Sequence, residues 1–298
     1  MAYHPFRFGI VTGQTRSAEA WFASARRAEE LGYSSFLIPD TLGQTFAPLP
    51  ALAAVVAATQ RLRVGTYVLA NDFRNPVLLA RECATLDFLS GGRFELGLGV
   101  GRPGVEADNR KLGIPFEPGG VRVARLAESL TTITSLLNGE VVSIVGKHYT
   151  IDGADMFPMP VQRPRPPILI AAAGSRLLAL AARTADIIAL ALPPMTGEDA
   201  FREKVADIAQ AAGDRFEQLE LNVNLVSAGQ HMPPWFAHMG IDPEALVRAG
   251  SPAVLTGNVD EMCDQLLRRR ETLGISYITL GEYFIETLAP VVERLSGR

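Results

Sequence analysis

Glu95, Gly97, Gly99 and Gly101 fall on alternate positions of one apolar stretch, and Phe94, Leu96, Leu98 and Val100 take the positions between. A strand with that pattern shows one large-residue face and one face with almost no side chains. Three alternating glycines leave a hollow in which a flat ligand can reach the backbone. The competing reading is a tight interior in which large neighbours fill the space. Gly99, Gly101 and Gly104 also fit G-x-G-x-x-G, but three strand–helix units precede them, Pro103 interrupts them and no helix opens directly after, so a dinucleotide-binding reading fails on position. The run Ala172-Ala173-Gly174-Ser175 ends a strand and opens a helix. Free backbone N–H groups there, with the Ser175 hydroxyl, suit a phosphate; a plain serine N-cap is the alternative. Asp40, at another strand end, has the chemistry to orient a ring or move a proton, or to cap a turn. Asn222, Asn224 and Glu282 add polar groups at further strand ends, and His231 and His238 flank Trp235 in an insertion suited to covering a barrel mouth.

Other chemistries find no support. His4, His148, His231 and His238 lack metal-ligand spacing, so no metal is expected, and no nucleophile elbow or phosphate-binding P-loop is present. Cys83 and Cys263 stand far apart inside helical patterns and read as small buried hydrophobes.

The elements that carry these residues alternate regularly. Strand 6–11 precedes helix 17–31, strand 35–40 helix 49–59, strand 63–69 helix 76–89, and strand 94–101 helix 120–137. Strand 167–172 then precedes helix 175–185, strand 186–192 helix 198–212, strand 219–228 helix 259–273, and strand 277–282 helix 285–295. Eight such units in 298 residues predict a single α/β domain over residues 1–298, a (β/α)8 barrel with insertions after strands four and seven. The first insertion, 140–165, holds an alternating stretch around Gly146 that predicts a β-hairpin; the second covers 230–252. Barrel sites lie at the C-terminal strand ends.

The formal net charge is −4 and Lys and Arg are scattered, which excludes a nucleic-acid partner. No apolar run is long enough to span a bilayer and the N-terminal residues do not read as a signal peptide, so no membrane role and a cytoplasmic location are expected.

The block 62–101 carries Arg63-Val64-Gly65-Thr66, Asn75-Pro76, Ala84-Thr85-Leu86-Asp87 and Leu89-Ser90-Gly91-Gly92-Arg93-Phe94 before the glycine-alternating strand. It resembles the luciferase-like monooxygenase family, and looser similarity extends through 26–33, 172–186 and 256–261. That resemblance implies a barrel binding coenzyme F420, the alternative being FMN. It marks Asp40 and Thr41 as the catalytic positions, and Asp40, Tyr67, Val68, Leu69, Val100, Gly101, Arg102, Ala172, Ala173, Gly174 and Ser175 as the cofactor cradle. It also implies a non-prolyl cis peptide at Tyr67–Val68 and a homodimer. Two departures stand out: many F420-using members carry a histidine where this chain has Thr41, and some carry a glutamate where it has Arg102. A threonine does not exchange a proton near neutral pH. The implied activity is hydride transfer between F420 and a small-molecule substrate. The alternatives are an FMN-dependent monooxygenase and a non-catalytic flavin or deazaflavin binder.

Overall fold

The structure, a computed structural model, describes residues 4–101, 104–229 and 243–298. Its main sheet holds β1 (Arg7–Val11), β2 (Ser35–Ile38), β3 (Arg63–Thr66), β4 (Leu69–Ala70), β5 (Phe94–Gly99), β8 (Ile168–Ala172), β9 (Ile187–Leu190), β10 (Glu220–Leu225) and β13 (Ile275–Gly281). The strand order is β3-β2-β1-β13-β10-β9-β8-β5-β4, and β3 pairs β5 as well, so the order returns on itself. β3 and β4 are two pieces of one strand interrupted at Tyr67–Val68. The topology is therefore the expected (β/α)8 barrel, with α1 (Ala18–Glu30), α2 (Pro48–Ala58), α3 (Pro76–Ser90), α5 (Gly119–Leu137), α6 (Ser175–Thr184), α7 (Glu198–Ala212), α9 (Val259–Leu273) and α10 (Ile285–Leu295) following the strands.

Three smaller features complete it. A short helix, α4 (Glu106–Lys111), stands between β5 and α5, where no helix was expected. The stretch around Gly146 is an antiparallel hairpin of β6 (Val142–Val145) and β7 (Thr150–Ala154), reached after α5. Beyond β10, β11 (Ser227–Ala228) pairs in parallel with β12 (Val254–Leu255), and α8 (Pro243–Arg248) lies in the described end of the second insertion. His231, Trp235 and His238 lie outside the described residues, as does Arg102.

Local sequence explains the helix ends. The Asn75 side chain accepts from the Val77 and Leu78 N–H groups at 2.9 and 3.4 Å, Pro76 pre-sets the first turn, and Gly91 ends α3 in the left-handed region at φ 65°. Asn258 and Glu261 bond each other's backbone in a capping box that opens α9.

By packing, the described chain falls into two compact units. One comprises the described parts of 1–12, 23–37 and 171–298, the other 13–22 and 38–170. In the first, β1 registers with β13 from Arg7↔Tyr277 to Val11↔Gly281. Gly9 is required there: an added Cβ would meet the Ser35 hydroxyl at 2.5 Å, and Ser35 bonds the buried Tyr277 hydroxyl at 2.5 Å. Arg7 stacks on the Tyr277 ring at 3.8 Å and forks onto Glu220 at 2.6 to 2.9 Å. In the second unit, every residue of β5 is buried, as expected for a parallel strand covered on both faces. Full burial of each large apolar side chain, such as Phe94, Leu96 and Leu98, contributes about 1.5–3 kcal/mol. Cys83 and Cys263 are free and buried, and burial pushes both thiols up.

Candidate functional site

The strand ends of the second unit form a cluster of mutually bonded polar groups. β2 runs through Ile38 into Asp40, a half-buried residue whose carboxylate is fully engaged. Arg74 donates to it at 2.5 and 3.4 Å, and the Ala70 N–H donates at 3.2 Å. The Asp40 side chain is only 6% exposed, so this ion pair keeps little water. Asp40 thus ties the end of β2 to the end of β4, and both its oxygens are already spoken for. Thr41 follows in a turn whose backbone is closed by the Thr45 hydroxyl, which donates to the Thr41 carbonyl at 3.1 Å and also to the Pro39 carbonyl at 3.0 Å.

The peptide Tyr67–Val68 is cis, as the family resemblance implied. The Tyr67 N–H donates to the Ile38 carbonyl at 2.8 Å, and Leu69 is buried. The glycines opposite behave differently from the expected hollow. A Cβ on Gly97 would lie 1.9 Å from the Thr66 carbonyl oxygen, and one on Gly99 would lie 2.8 Å from a Val68 methyl. The Thr66 hydroxyl also donates to the Gly97 carbonyl and accepts its N–H, both at 2.8 Å. The space is filled by the chain at 66–68. Gly97 and Gly99 are needed for that close backbone approach, and the face is covered by the Tyr67–Val68 segment, not left as a bare glycine floor. Glu95, on the same strand, is paired with Arg63 at 2.6 Å.

Val100 and Gly101 end the strand half-buried, with Gly101 at φ 73°. Arg122 of α5 holds them: it donates to the Gly101 carbonyl at 2.9 Å and to the Val100 carbonyl, and it stacks on Phe116 at 3.9 Å. Arg125, one turn on, bonds Asp72 at 2.8 Å. Asn71, beside Asp72 in the chain, is 2% exposed, and its Nδ2 finds no hydrogen-bond partner among the described residues. A buried amide donor left unmatched costs about 1–3 kcal/mol, so the position calls for an acceptor. Sequence reasoning missed Asn71, Arg74, Arg122 and Arg125. Only Asn71 left a signal, its place at the close of strand three.

In the first unit, Ala172 is buried and its carbonyl accepts the Ala191 N–H at 3.0 Å. Ala173 follows, and Gly174 is the N-cap of α6 with extended backbone angles and no side-chain cap. Ser175 is the first residue inside the helix, so the plain serine-cap reading is corrected. Gly174, Ser175 and Arg176 are exposed, and nothing lies within 4 Å of a Cβ on Gly174. The helix terminus is open and electropositive. In the same unit the Thr12 hydroxyl, just past β1, donates to Glu282 at 2.5 Å, just past β13. Asn224 on β10 has a buried side-chain oxygen without a partner among the described residues. Among the described residues, no group of His, Cys, Asp and Glu is placed to hold a metal ion, and no helix is long and apolar enough to cross a membrane.

The fold is a (β/α)8 barrel, and the comparisons give the family. The luciferase-like monooxygenase model matches residues 2–230, so the chain belongs to that family. It is 34% identical over 227 residues to an F420-dependent glucose-6-phosphate dehydrogenase of Nakamurella multipartita, covering 72% of this chain and 66% of that one. It is 36% identical over 167 residues to the enzyme of the same name from Beutenbergia cavernae, covering 53% of this chain and 48% of that one. The chain thus spans about half to about two thirds of these relatives' length. Among solved structures, the coenzyme F420 dependent tetrahydromethanopterin reductase of Methanopyrus kandleri superposes with a TM-score of 0.78 at 19% identity, covering 98% of this chain and all of the other. That likeness confirms the fold.

Proposed function

We propose that the chain is an oxidoreductase that uses coenzyme F420 to move a hydride to or from a small organic substrate. The observation that carries this reading is the match, over 72% of the chain, to a relative named for F420 dependence. The residues present fit such a group. Each unit by itself holds a group suited to part of it: in the second, Asn71 offers a buried donor without a partner among the described residues, suited to a ring carbonyl, and in the first the open N-terminus of α6 with Ser175 suits a phosphate. When bound, the deazaflavin supplies the hydride-carrying carbon. The chain's own residues supply shape: Asp40–Arg74 and Arg122 fix the strand ends, and the Tyr67–Val68 segment backs the ring.

Glucose 6-phosphate, the substrate in the relatives' name, does not follow for this chain. Thr41 stands where a proton-exchanging histidine is common, and both Asp40 oxygens are bonded. We read the protein as a single barrel domain over residues 1–298 that works as a homodimer. Exposed Leu78 and Leu89 lie three turns apart on one face of α3, with Phe88, Phe157 and Val161 also exposed in that unit. Light scattering reporting twice the monomer mass would support this; a monomer mass contradicts it.

The test of the activity is an oxygen-free assay with oxidised F420 and a panel of alcohols, aldose phosphates and saturated ketones, with reduced F420 and enones for the opposite direction. Turnover without O2 supports hydride transfer. Turnover only with FMN and O2 would replace it by a flavin monooxygenase, and F420 binding without turnover by a non-catalytic binder.

A further inference from the structure

A cavity of about 780 Å³ opens in the first unit, walled by the first turn of α7, by α8 and the residues after it, and by one face of α9. None of the strand-end residues described above lines it. Its charge is unbalanced. Arg202, Arg268 and Arg269 face it against Glu198 and Asp199. Both carboxylates are in use: Arg202 bonds Asp199 at 2.6 Å and Glu198 at 3.1 Å, and Arg268 lies 3.5 Å from Glu198.

Arg269 is the exception. It is 5% exposed, and its two terminal nitrogens donate to the carbonyls of Pro252 and Val254, at 3.0 and 2.6 Å. Its Nε has no hydrogen-bond partner among the described residues, and the charge of Glu198 acts on it without a hydrogen bond or close ion pair. Burial, with Arg268 beside it, pushes the guanidinium down to about 10. A cation held dry with only neutral acceptors is the arrangement that a bound anion stabilises. The lining also has an apolar part, made by Leu246, Val247 and Val254. Gly197 marks how closely the walls meet: a Cβ there would sit 2.7 Å from the Ala249 carbonyl.

We propose that this cavity binds a small amphipathic organic anion, with its charged head at Arg268 and Arg269 and its short apolar tail on Leu246, Val247 and Val254. An anionic head completes the charge balance of the three arginines. The tail covers the half-exposed Val247 side chain, which is otherwise left to water.

Isothermal titration of the purified full chain with hexanoate, with acetate as the tail-less probe, tests the site. Hexanoate is expected to saturate with a dissociation constant near or below about 1 mM, and acetate to bind at least roughly tenfold more weakly, since each buried methylene contributes up to ~0.8 kcal/mol. Arg268→Gln alters an exposed side chain and keeps the fold; it should weaken hexanoate about fivefold or more. Val247→Asp should weaken it at least as much by placing a charge against the tail. Failure of hexanoate to saturate, equal binding of acetate, or wild-type affinity in both variants would overturn the proposal. Thermal unfolding of each variant separates a lost site from a lost fold.

Discussion

The strand ends of the second unit and the α6 terminus of the first use opposite means. At the former, side chains are spent on one another: Asp40 on Arg74, Asp72 on Arg125, and Arg122 on the carbonyls of Val100 and Gly101. Those side chains are tied in place, and the Asn71 amide is left without a partner among the described residues. At the latter no side chain caps the helix, and the backbone N–H groups around Gly174 stay exposed. One region is organised to present a surface, the other to receive charge. Substitutions at the two should therefore differ in sign as well as size.

The largest contrast is between two glycines. Gly97→Ala must push a methyl into the Thr66 backbone and should cost about 3 kcal/mol in urea unfolding, whereas Gly174→Ala, with open space and φ −79°, should stay within about 0.5 kcal/mol. Equal effects would break the distinction. Asp40→Asn comes next: it leaves Arg74 without its charge partner and should cost about 2 kcal/mol, less than a fully dry pair because Arg74 is 22% exposed. Gly174→Asp sharpens the comparison through opposite readouts. A carboxylate at an N-cap position should stabilise α6 by roughly 0.5 kcal/mol, yet weaken F420 binding about tenfold by occupying the phosphate's place.

The smallest expected effect lies in the hairpin. Burial works to raise the Glu128 carboxyl, but bonds from the His148, Lys147 and Tyr149 N–H groups outweigh it and hold the group below its ordinary value. A depressed carboxyl contributes stability that is present above its unfolded value and lost as pH falls through the folded one. The protection of the 147–149 amides, relative to their intrinsic exchange rates, should therefore fall in the acid range below the usual carboxylate value, and Glu128→Gln should remove that pH dependence of protection. An unchanged profile in the variant would contradict it.

The barrel was legible because its signals are local. Parallel strands buried on both faces read as apolar runs, and Asn75-Pro76 with Gly91, or Asn258 with Glu261, announce helix ends within a few residues. The cis peptide at Tyr67–Val68 was legible through family likeness alone. The role of Gly97 and Gly99 was misread because alternation shows that a face is empty, not what fills it; here Thr66 and Val68 do. Arg74, Arg122 and Arg125 were illegible for a related reason. Their partners lie 34, 21 and 53 residues away, and no spacing rule links an arginine to a group so distant in the chain. Arg269 and its cavity belong to the same class.

The most direct test of the central claim is quenching of cofactor fluorescence on titrating the protein, wild type and Gly174→Asp, with F420 and separately with FMN. The account predicts micromolar or tighter F420 binding, none for FMN, and about tenfold weaker F420 binding in the variant. FMN binding in place of F420, or binding of neither, would contradict it.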